Sequence, residues 1–263
     1  INNYPLFEVF KNDGAKFGPI ISGTYIPLFF QDNNDSDIQV NDLKTFNNFP
    51  WIDKVKDETE KVLNNVGLSY SFYSKIIVKG NDARNFLDKI SISNISKKNN
   101  NCKLSYFVTD KGRIVSEFTI CPIDDYFYLV GNAGHNLYDI EWLKSKINGD
   151  VKIENYTDLI DFLHIAGPKA KELLCNIDSR INDISFMKMK QIQNFGFTNL
   201  NLNIFKLSFT GLEGYELHIN RNDSVKLYEF IKNHKINKDL NMTLFGSLAL
   251  NSLRIDKAFK TYS

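Results

Sequence analysis

The stretch FTGLEGYELHI, residues 209–219, sets Gly211, Gly214, Glu213 and Glu216 into a run that otherwise reads as a β-strand. Glycines permit a tight turn there, and the turn aims the first side chains of the strand that follows. Glu216 stands between Tyr215 and Leu217. A carboxylate in that position either faces solvent on an amphipathic strand or accepts two parallel hydrogen bonds from a group with adjacent N–H donors, as it does from a guanidinium. The other reactive residue types form no site of their own. His135, His164, His218 and His234 are scattered without metal-ligand spacing, so no metal site is expected. His164 and His218, in strand-like runs, read as satisfied structural residues. Cys102, Cys121 and Cys175 include no C-x-x-C pair, which argues against a disulfide framework or zinc. AGHN at 133–136 resembles a catalytic turn only superficially. The sequence has no P-loop, G-x-G-x-x-G or G-x-S-x-G, so nucleotide phosphate or flavin is not bound in those ways.

A chain of 263 residues, 43% hydrophobic and 24% charged, has apolar mass for a sizeable core. Its net charge of +1 provides no overall field toward nucleic acid or an anionic membrane, so an anionic ligand must be met by local charges. The apolar runs YIPLFF and FTICPI fall far short of the roughly 20 residues that span a bilayer, and no secretory h-region is present. With the cysteine usage, this points to a reducing, cytoplasmic setting with neither nucleic acid nor membrane as partner. The chain opens on Ile1, not methionine, and is read as part of something longer.

The chain repeats itself. IVKGNDARNFLDKI, residues 77–90, reads as a β-rich run, a glycine turn, a capping Asn81 or Asp82, and a helix whose apolar residues Phe86, Leu87 and Ile90 share a face. LHIAGPKAKELLCNI, residues 163–177, follows the same grammar at an offset of 87 (167 minus 80), with Pro168 where a first-turn proline belongs. Downstream, residues 126–147 are echoed by 214–235, with Asn132 matching Asn220 at an offset of 88 (220 minus 132). The runs KLSYFVTD, RIVSEFTI and NLNIFKLSFT alternate as antiparallel strands. QDNNDSD and KKNNNC read as solvated loops, and a helical apolar stripe is expected through Leu244, Leu248, Leu253 and Phe259. The expected fold is α+β: two similar lobes of antiparallel sheet plus helices, with an entry segment at 1–50, a first lobe at 51–150 and a second at 151–263.

Several motifs in order resemble the glycine-cleavage T-protein (aminomethyltransferase) family. FTGLEGYELHI resembles its TGE-x-GYE segment, LHIAGPKAKELL its QGPKA turn and NSLRIDKAF its SLRLE helix. DGAKFGPIISGTYIP, VKDETEKVLNNVGL and FGSLALNSLRIDKAFK are similar to the T-protein-like portion of dimethylglycine and sarcosine dehydrogenases. The resemblance, over residues 4–263, implies a three-lobed tetrahydrofolate-binding fold whose third, β-rich lobe would follow the SLRLE-like helix. It further implies a separate flavin domain preceding this segment in the dehydrogenases.

Carried over by position, the resemblance makes Glu216 the holder of the pterin ring, whose adjacent N–H donors suit a carboxylate, with Tyr215 its neighbour. Thr109 takes the asparagine position of the family's LN-x-x-GG loop, Asp110 lies beside that loop, and Tyr262 falls at the family's aromatic position at the end of the SLRLE helix. Arg254 matches that helix's arginine, either as a ligand contact or in an ion pair with Asp256 or Glu213. Asn94 stands where the family has the aspartate facing the reacting nitrogen; an amide can hydrogen-bond there but cannot take a proton. Leu212 and Leu250 replace the family's glutamate and arginine, and GLSYSFYSK lacks its usual aspartate. The implied function is tetrahydrofolate-dependent one-carbon transfer from a methylamine or aminomethyl donor, as an enzyme with FAD only in a separate upstream domain. The alternatives are a catalytically silent folate-binding module and a tetrahydrofolate-dependent demethylase of the same fold.

Overall fold

The computed structural model describes residues 4–20, 23–31 and 50–262. Most of QDNNDSD, residues 32–37, and much of the expected entry segment lie outside the described residues. In chain order the elements are α1 (Leu6–Asn12), β1 (Ala15–Pro19), β2 (Tyr25–Phe30), α2 (Ile52–Asn64), β3 (Gly67–Tyr70), β4 (Tyr73–Lys79), α3 (Ala83–Ile90), β5 (Lys103–Val108), β6 (Ile114–Ile123), β7 (Tyr126–Asn132), α4 (Asn136–Ser145) and β8 (Lys152–Asn155). They continue with β9 (Ile160–Ala166), α5 (Ala170–Ile177), β10 (Lys188–Ile192), β11 (Leu202–Lys206), β12 (Gly214–Asn220), α6 (Ser224–Asn233), α7 (Ile236–Leu240), β13 (Thr243–Leu244) and α8 (Ser247–Asp256). Among the described residues no helix is long and apolar enough to cross a membrane.

The α+β architecture consists of a five-stranded sheet, β5-β6-β7-β4-β8, a six-stranded sheet, β10-β11-β12-β9-β3-β13, and the hairpin β1-β2. All pairings are antiparallel except β13 with β3. Sheet membership does not follow a division at 150/151. β3 precedes that point yet pairs with β9, and β8 follows it yet pairs with β4. Hydrogen-bonding edges, not chain order, decide which sheet a strand joins.

Strand alternation builds three apolar layers. On the outer face of the five-stranded sheet, Ile76, Phe118, Ile120 and Leu129 pack under Phe86, Leu87 and Ile90 of α3 and Leu143 of α4. The outer face of the six-stranded sheet buries Leu163, Ile165, Tyr215 and Leu217 under Leu173 and Leu174 of α5 and Leu227 and Ile231 of α6. Between the sheets lie Ile77, Cys121, Tyr128 and Val130 from one side and Met189, Phe205 and Leu207 from the other.

Two strand-to-helix turns depend on glycine. Gly80 and Gly167 have φ of +121° and +127°, and a Cβ there would lie 2.1 Å from the Asp150 carbonyl oxygen and 2.3 Å from that of Asn65. Each turn enters an eight-residue helix, α3 or α5. Asp82 does not cap α3 with its side chain; its carboxylate accepts the Asp150 N–H at 2.8 Å instead. The other repeated junction, at Asn132 and Asn220, is a pair of 3₁₀ turns in which each side-chain oxygen accepts the N–H two residues on, from Gly134 at 2.8 Å and Asn222 at 3.0 Å.

The expected helical stripe from Leu244 is shorter in the structure. The chain is extended through β13 and Gly246, because the Glu58 carboxylate accepts the Gly246 N–H at 2.9 Å and that of Phe30 at 2.6 Å. Leu244 is therefore a strand residue, and α8 buries Ala249, Leu250 and Leu253 with Val55 and Val62 of α2. Leu248 is half-buried and Phe259, beyond the helix, is exposed.

Candidate functional site

A cavity of about 460 Å³ opens between the ends of the two sheets and is closed on one side by α8 and the residues that follow it. Phe72 and Tyr73 enter it before and on β4, Glu117 and Thr119 on β6, residues 130–134 at the end of β7, Glu216 on β12, and Leu250, Asn251 and Arg254 on α8. The period of two in β12 decides which residues of the GYELHI run reach it. Tyr215, Leu217 and Ile219 point into the helix-side core, and Glu216 and His218 point toward the other sheet.

Glu216 pairs across the sheet with His164 on β9 and Phe205 on β11, and its side chain is 14% exposed. Its Oε2 lies 3.1 Å from Nε2 of His218, whose Nδ1 lies 3.0 Å from the Tyr128 hydroxyl. The His218 ring is stacked on Phe162 with centroids 4.8 Å apart and lies 4.6 Å from the Phe205 ring. Burial lowers the pKa of His218, against the opposing pull of Glu216. His164, directly opposite Glu216, also has its pKa lowered by burial. Its Nε2 and the Oγ of Ser69, its partner on β3, are buried without a protein hydrogen bond. His218 is thus a satisfied histidine and His164 is not.

The structure distributes the residues singled out from the sequence. It brings Glu216, Arg254 and Tyr262 together around the cavity. Arg254 donates through Nε and Nη2 to Asn251 Oδ1 at 3.2 and 2.6 Å and through Nη1 to the Phe259 carbonyl. The ion pair expected with Asp256 or Glu213 is not formed, because Lys257 pairs with Asp256 at 3.1 Å and Lys206 with Glu213 at 2.8 Å. Tyr262 donates its backbone N–H to Glu117 Oε2 at 2.7 Å and sets its ring edge-on to His135. Tyr215 lies on the far face of β12, fully buried, its hydroxyl 3.3 Å from Glu213 Oε1. Thr109 and Asp110 belong to the β5–β6 turn, where Thr109 Oγ1 accepts the Arg113 N–H, and neither lines the cavity. Asn94 is exposed in the loop after α3 and is not among the lining residues.

Sequence reasoning missed Glu117, Tyr73 and Asn251. Glu117 is in phase with Cys121, on the inward face of a strand read only as alternating, and an inward carboxylate is the signal that could have found it. Tyr73 shares its phase with Lys75 and Ile77, and Asn251 lies one helical turn before Arg254. Lys75 is 1% exposed between the sheets. Its Nζ lies over the rings of Phe72 (5.1 Å) and Phe162 (5.8 Å), and burial pulls its pKa down to about 7. Among the described residues no group of three metal-ligating side chains occurs, and all three cysteines are free.

Residues 6–263 match the family described as the GCVT N-terminal domain. The chain belongs to that family. It is 30% identical over 223 residues to the mitochondrial dimethylglycine dehydrogenase of Homo sapiens, a match covering 83% of this chain and 25% of that protein. It is 30% identical over 263 residues to an aminomethyltransferase of Thermoanaerobacter sp. (strain X514), covering 98% of this chain and 64% of the relative. The glycine cleavage system aminomethyltransferase T of Bartonella henselae superposes with a TM-score of 0.78 at 22% identity, over 97% of this chain and 62% of that one, which shows a shared fold. This GCVT domain thus spans a quarter of the dehydrogenase and less than two thirds of the aminomethyltransferases it matches.

Proposed function

We propose that this GCVT domain binds tetrahydrofolate in the cavity between its sheets and serves folate-dependent one-carbon transfer, as the folate-binding part of a dimethylglycine or sarcosine dehydrogenase-like or T-protein-like enzyme. The observation that carries the reading is Glu216: an inward carboxylate at the cavity wall, with one oxygen fixed by His218 and no hydrogen bond from the described residues at the other. A pterin ring fits these residues. Its adjacent N–H donors match a carboxylate, and Phe72, Tyr73 and Leu250 offer apolar walls. The cavity volume lies within the roughly 300 to 1,000 Å³ of small-molecule sites. Arg254, near Tyr262, is a cation available to the carboxylates of the cofactor's tail.

The chemistry such a cofactor brings is nucleophilic capture of a one-carbon unit by its N5 and N10. The chain's contribution is to orient the ring through Glu216, to exclude water with the aromatic walls, and to hold the reactants close, which yields large effective molarity. The donor would be a methylamine or aminomethyl compound, and any flavin-dependent oxidation of it would take place in a separate domain. The two glycine turns and the two asparagine-capped 3₁₀ turns support reading the fold as a duplicated sheet-and-helix unit.

A second reading, a folate-binding module without acid–base catalysis, is favoured by the exposed position of Asn94 outside the cavity lining. Titration with 5-formyltetrahydrofolate separates binding from its absence. Glu216→Gln exchanges an acceptor oxygen for a donor and leaves a pterin N–H unpaired, at about 1 to 3 kcal/mol, so affinity should fall at least several-fold. Unchanged affinity in an equally folded variant would leave Glu216 as the partner of His218 alone, with no part in ligand binding.

A further inference from the structure

We propose that His218 is a positioning residue: held by Tyr128 as the tautomer protonated on Nε2, it donates to one oxygen of Glu216 and turns the other toward the ligand. The proposal rests on the folate reading of the cavity and adds two residues that the family resemblance does not supply. A neutral imidazole has one donor and one acceptor nitrogen, so the partner of one nitrogen dictates the state of the other. Here Nδ1 lies 3.0 Å from the Tyr128 hydroxyl, and Nε2 lies 3.1 Å from Glu216 Oε2. If the Tyr128 O–H donates to Nδ1, the ring proton is on Nε2 and meets the carboxylate. The reverse assignment would set an imidazole lone pair against a carboxylate oxygen inside a buried layer, where the repulsion is poorly screened. Only the first arrangement satisfies all three groups.

The surroundings keep the ring neutral and still. Phe162 on β9 stacks on it, Phe205 on β11 packs against its other side, and Tyr128 approaches from β7. The charges facing it are Glu216 on its own strand and Lys75 on β4, and Lys75 opposes protonation. The side chain of His218 is 1% exposed. Glu216 alone, with two side-chain torsions beyond χ1 and its carboxylate at the cavity wall, could swing among rotamers. Bonded to a stacked imidazole that is itself bonded to the facing sheet, it presents one orientation to whatever enters. Preorganisation of this kind raises affinity by removing the ordering that binding would otherwise require.

The test is made on the 263-residue chain. With four histidines, ring-nitrogen correlation spectra can be assigned by single substitutions. At pH 7.5 they should show His218 neutral and protonated on Nε2, and Tyr128→Phe should shift the Nδ1 resonance of an acceptor that has lost its donor while Glu216 still holds the Nε2 proton. Titration with 5-formyltetrahydrofolate should show His218→Phe weakening binding by about tenfold, the loss expected for a hydrogen bond to a charged group. His218→Gln should restore most of it, because its amide can donate to Glu216 where phenylalanine cannot. A wild-type ring protonated on Nδ1, an imidazolium, or His218→Phe binding like wild type while Glu216→Gln binds weakly would overturn the proposal. Unchanged binding by Glu216→Gln would overturn the folate reading and the role of His218 in ligand binding with it, and the spectra would still decide the tautomer.

Discussion

Lys75→Met should stabilise the domain below pH 7, and the gain should shrink as pH rises. Lys75 is buried between the sheets, and among the described residues no carboxylate lies within ion-pair distance of its Nζ; Asp161, the strongest influence of opposite sign, is bonded to Tyr70 and Arg221. Its pKa falls from 10.5 to about 7. The difference of 3.5 units (10.5 minus 7), at 1.36 kcal/mol per unit, amounts to about 5 kcal/mol of burial cost for the charged amine. Contacts with the Phe72 and Phe162 rings offset about 1 to 2 kcal/mol of what methionine would gain, leaving about 3 kcal/mol. Methionine has a similar length, packs well against aromatic rings, and leaves Asp161 its arginine partner.

The sign follows from proton counting. Between pH 7 and 10.5 the unfolded chain binds a proton at Lys75 that the folded chain does not, so wild-type stability rises with pH across that window. Below pH 7 both states are protonated and the full cost is present. Urea unfolding of both proteins at pH 6.5, 7.5, 8.5 and 9.5 should therefore show a methionine advantage that narrows by up to about 1.4 kcal/mol per pH unit above 7. Cys102 and Cys175, whose thiols titrate in this range in the unfolded chain and are raised in the folded one, are common to both proteins and cancel in the difference. A gap independent of pH, or a wild type more stable than the variant at pH 6.5, would refute the account of Lys75 as a buried, weakly partnered amine.

Asn94→Asp should leave the melting temperature and 5-formyltetrahydrofolate affinity unchanged, because an exposed side chain outside the cavity lining meets neither the core nor the ligand. Single-turnover assay of methylene-tetrahydrofolate formation from formaldehyde should show no gain, whereas the 10²- to 10⁴-fold rise typical of a positioned acid–base group would place residue 94 in the reacting site after all. Gly167→Ala should lower stability by roughly 3 kcal/mol or more in chemical denaturation, since it combines a strained φ of +127° with a Cβ 2.3 Å from the Asn65 carbonyl oxygen. Wild-type stability in that variant would mean that the turn relaxes freely.

The legible part of this chain was the part governed by local rules. Gly80 and Gly167 announced strand-to-helix turns because no other residue tolerates their backbone, and the apolar period of Phe86, Leu87 and Ile90 announced the face of α3. Glu216 was legible because a carboxylate follows two glycines on an otherwise apolar strand. Resemblance groups Tyr215 with it as a sequence neighbour, yet adjacent strand residues face opposite ways, and the structure sends Tyr215 into the helix-side core. Position by position, resemblance also set Thr109, Asp110 and Asn94 at the site, but a motif carries residue order and not the path of a loop. Glu117 and Lys75 left weaker traces: each is a charge on the inward phase of its strand, a signal that becomes visible only when the strand's facing sheet is known. The membership of β3 and β8 depends on long-range pairing, which no local pattern encodes.

Those inward charges explain why the cavity lies where it does. Between the sheets, the layer near β10 and β11 is apolar, built from Ile77, Cys121, Met189, Phe205 and Leu207, and its burial holds the two sheets face to face. Toward β3, β9 and the end of β4 the same layer turns polar: Ser69, Lys75 and His164 are buried there, and Ser69 Oγ and His164 Nε2 have no protein partner. A buried polar atom left unpaired costs about 1 to 3 kcal/mol, so these two atoms together work against the closure that the apolar end favours. The cavity opens beside that polar end, where Glu216 pairs with His164 across the sheet. The carboxylate at its mouth whose second partner can come from outside the chain is Glu216. A ligand rich in N–H donors would complete the polar end as the apolar end is already complete. Removing those two unpaired atoms, by Ser69→Ala together with His164→Phe, should therefore raise stability, and since neither residue lines the cavity, affinity for the ligand should hold. Paired denaturation and titration of the double variant would check both outcomes, and a variant less stable than wild type would contradict the account of these atoms as a buried cost.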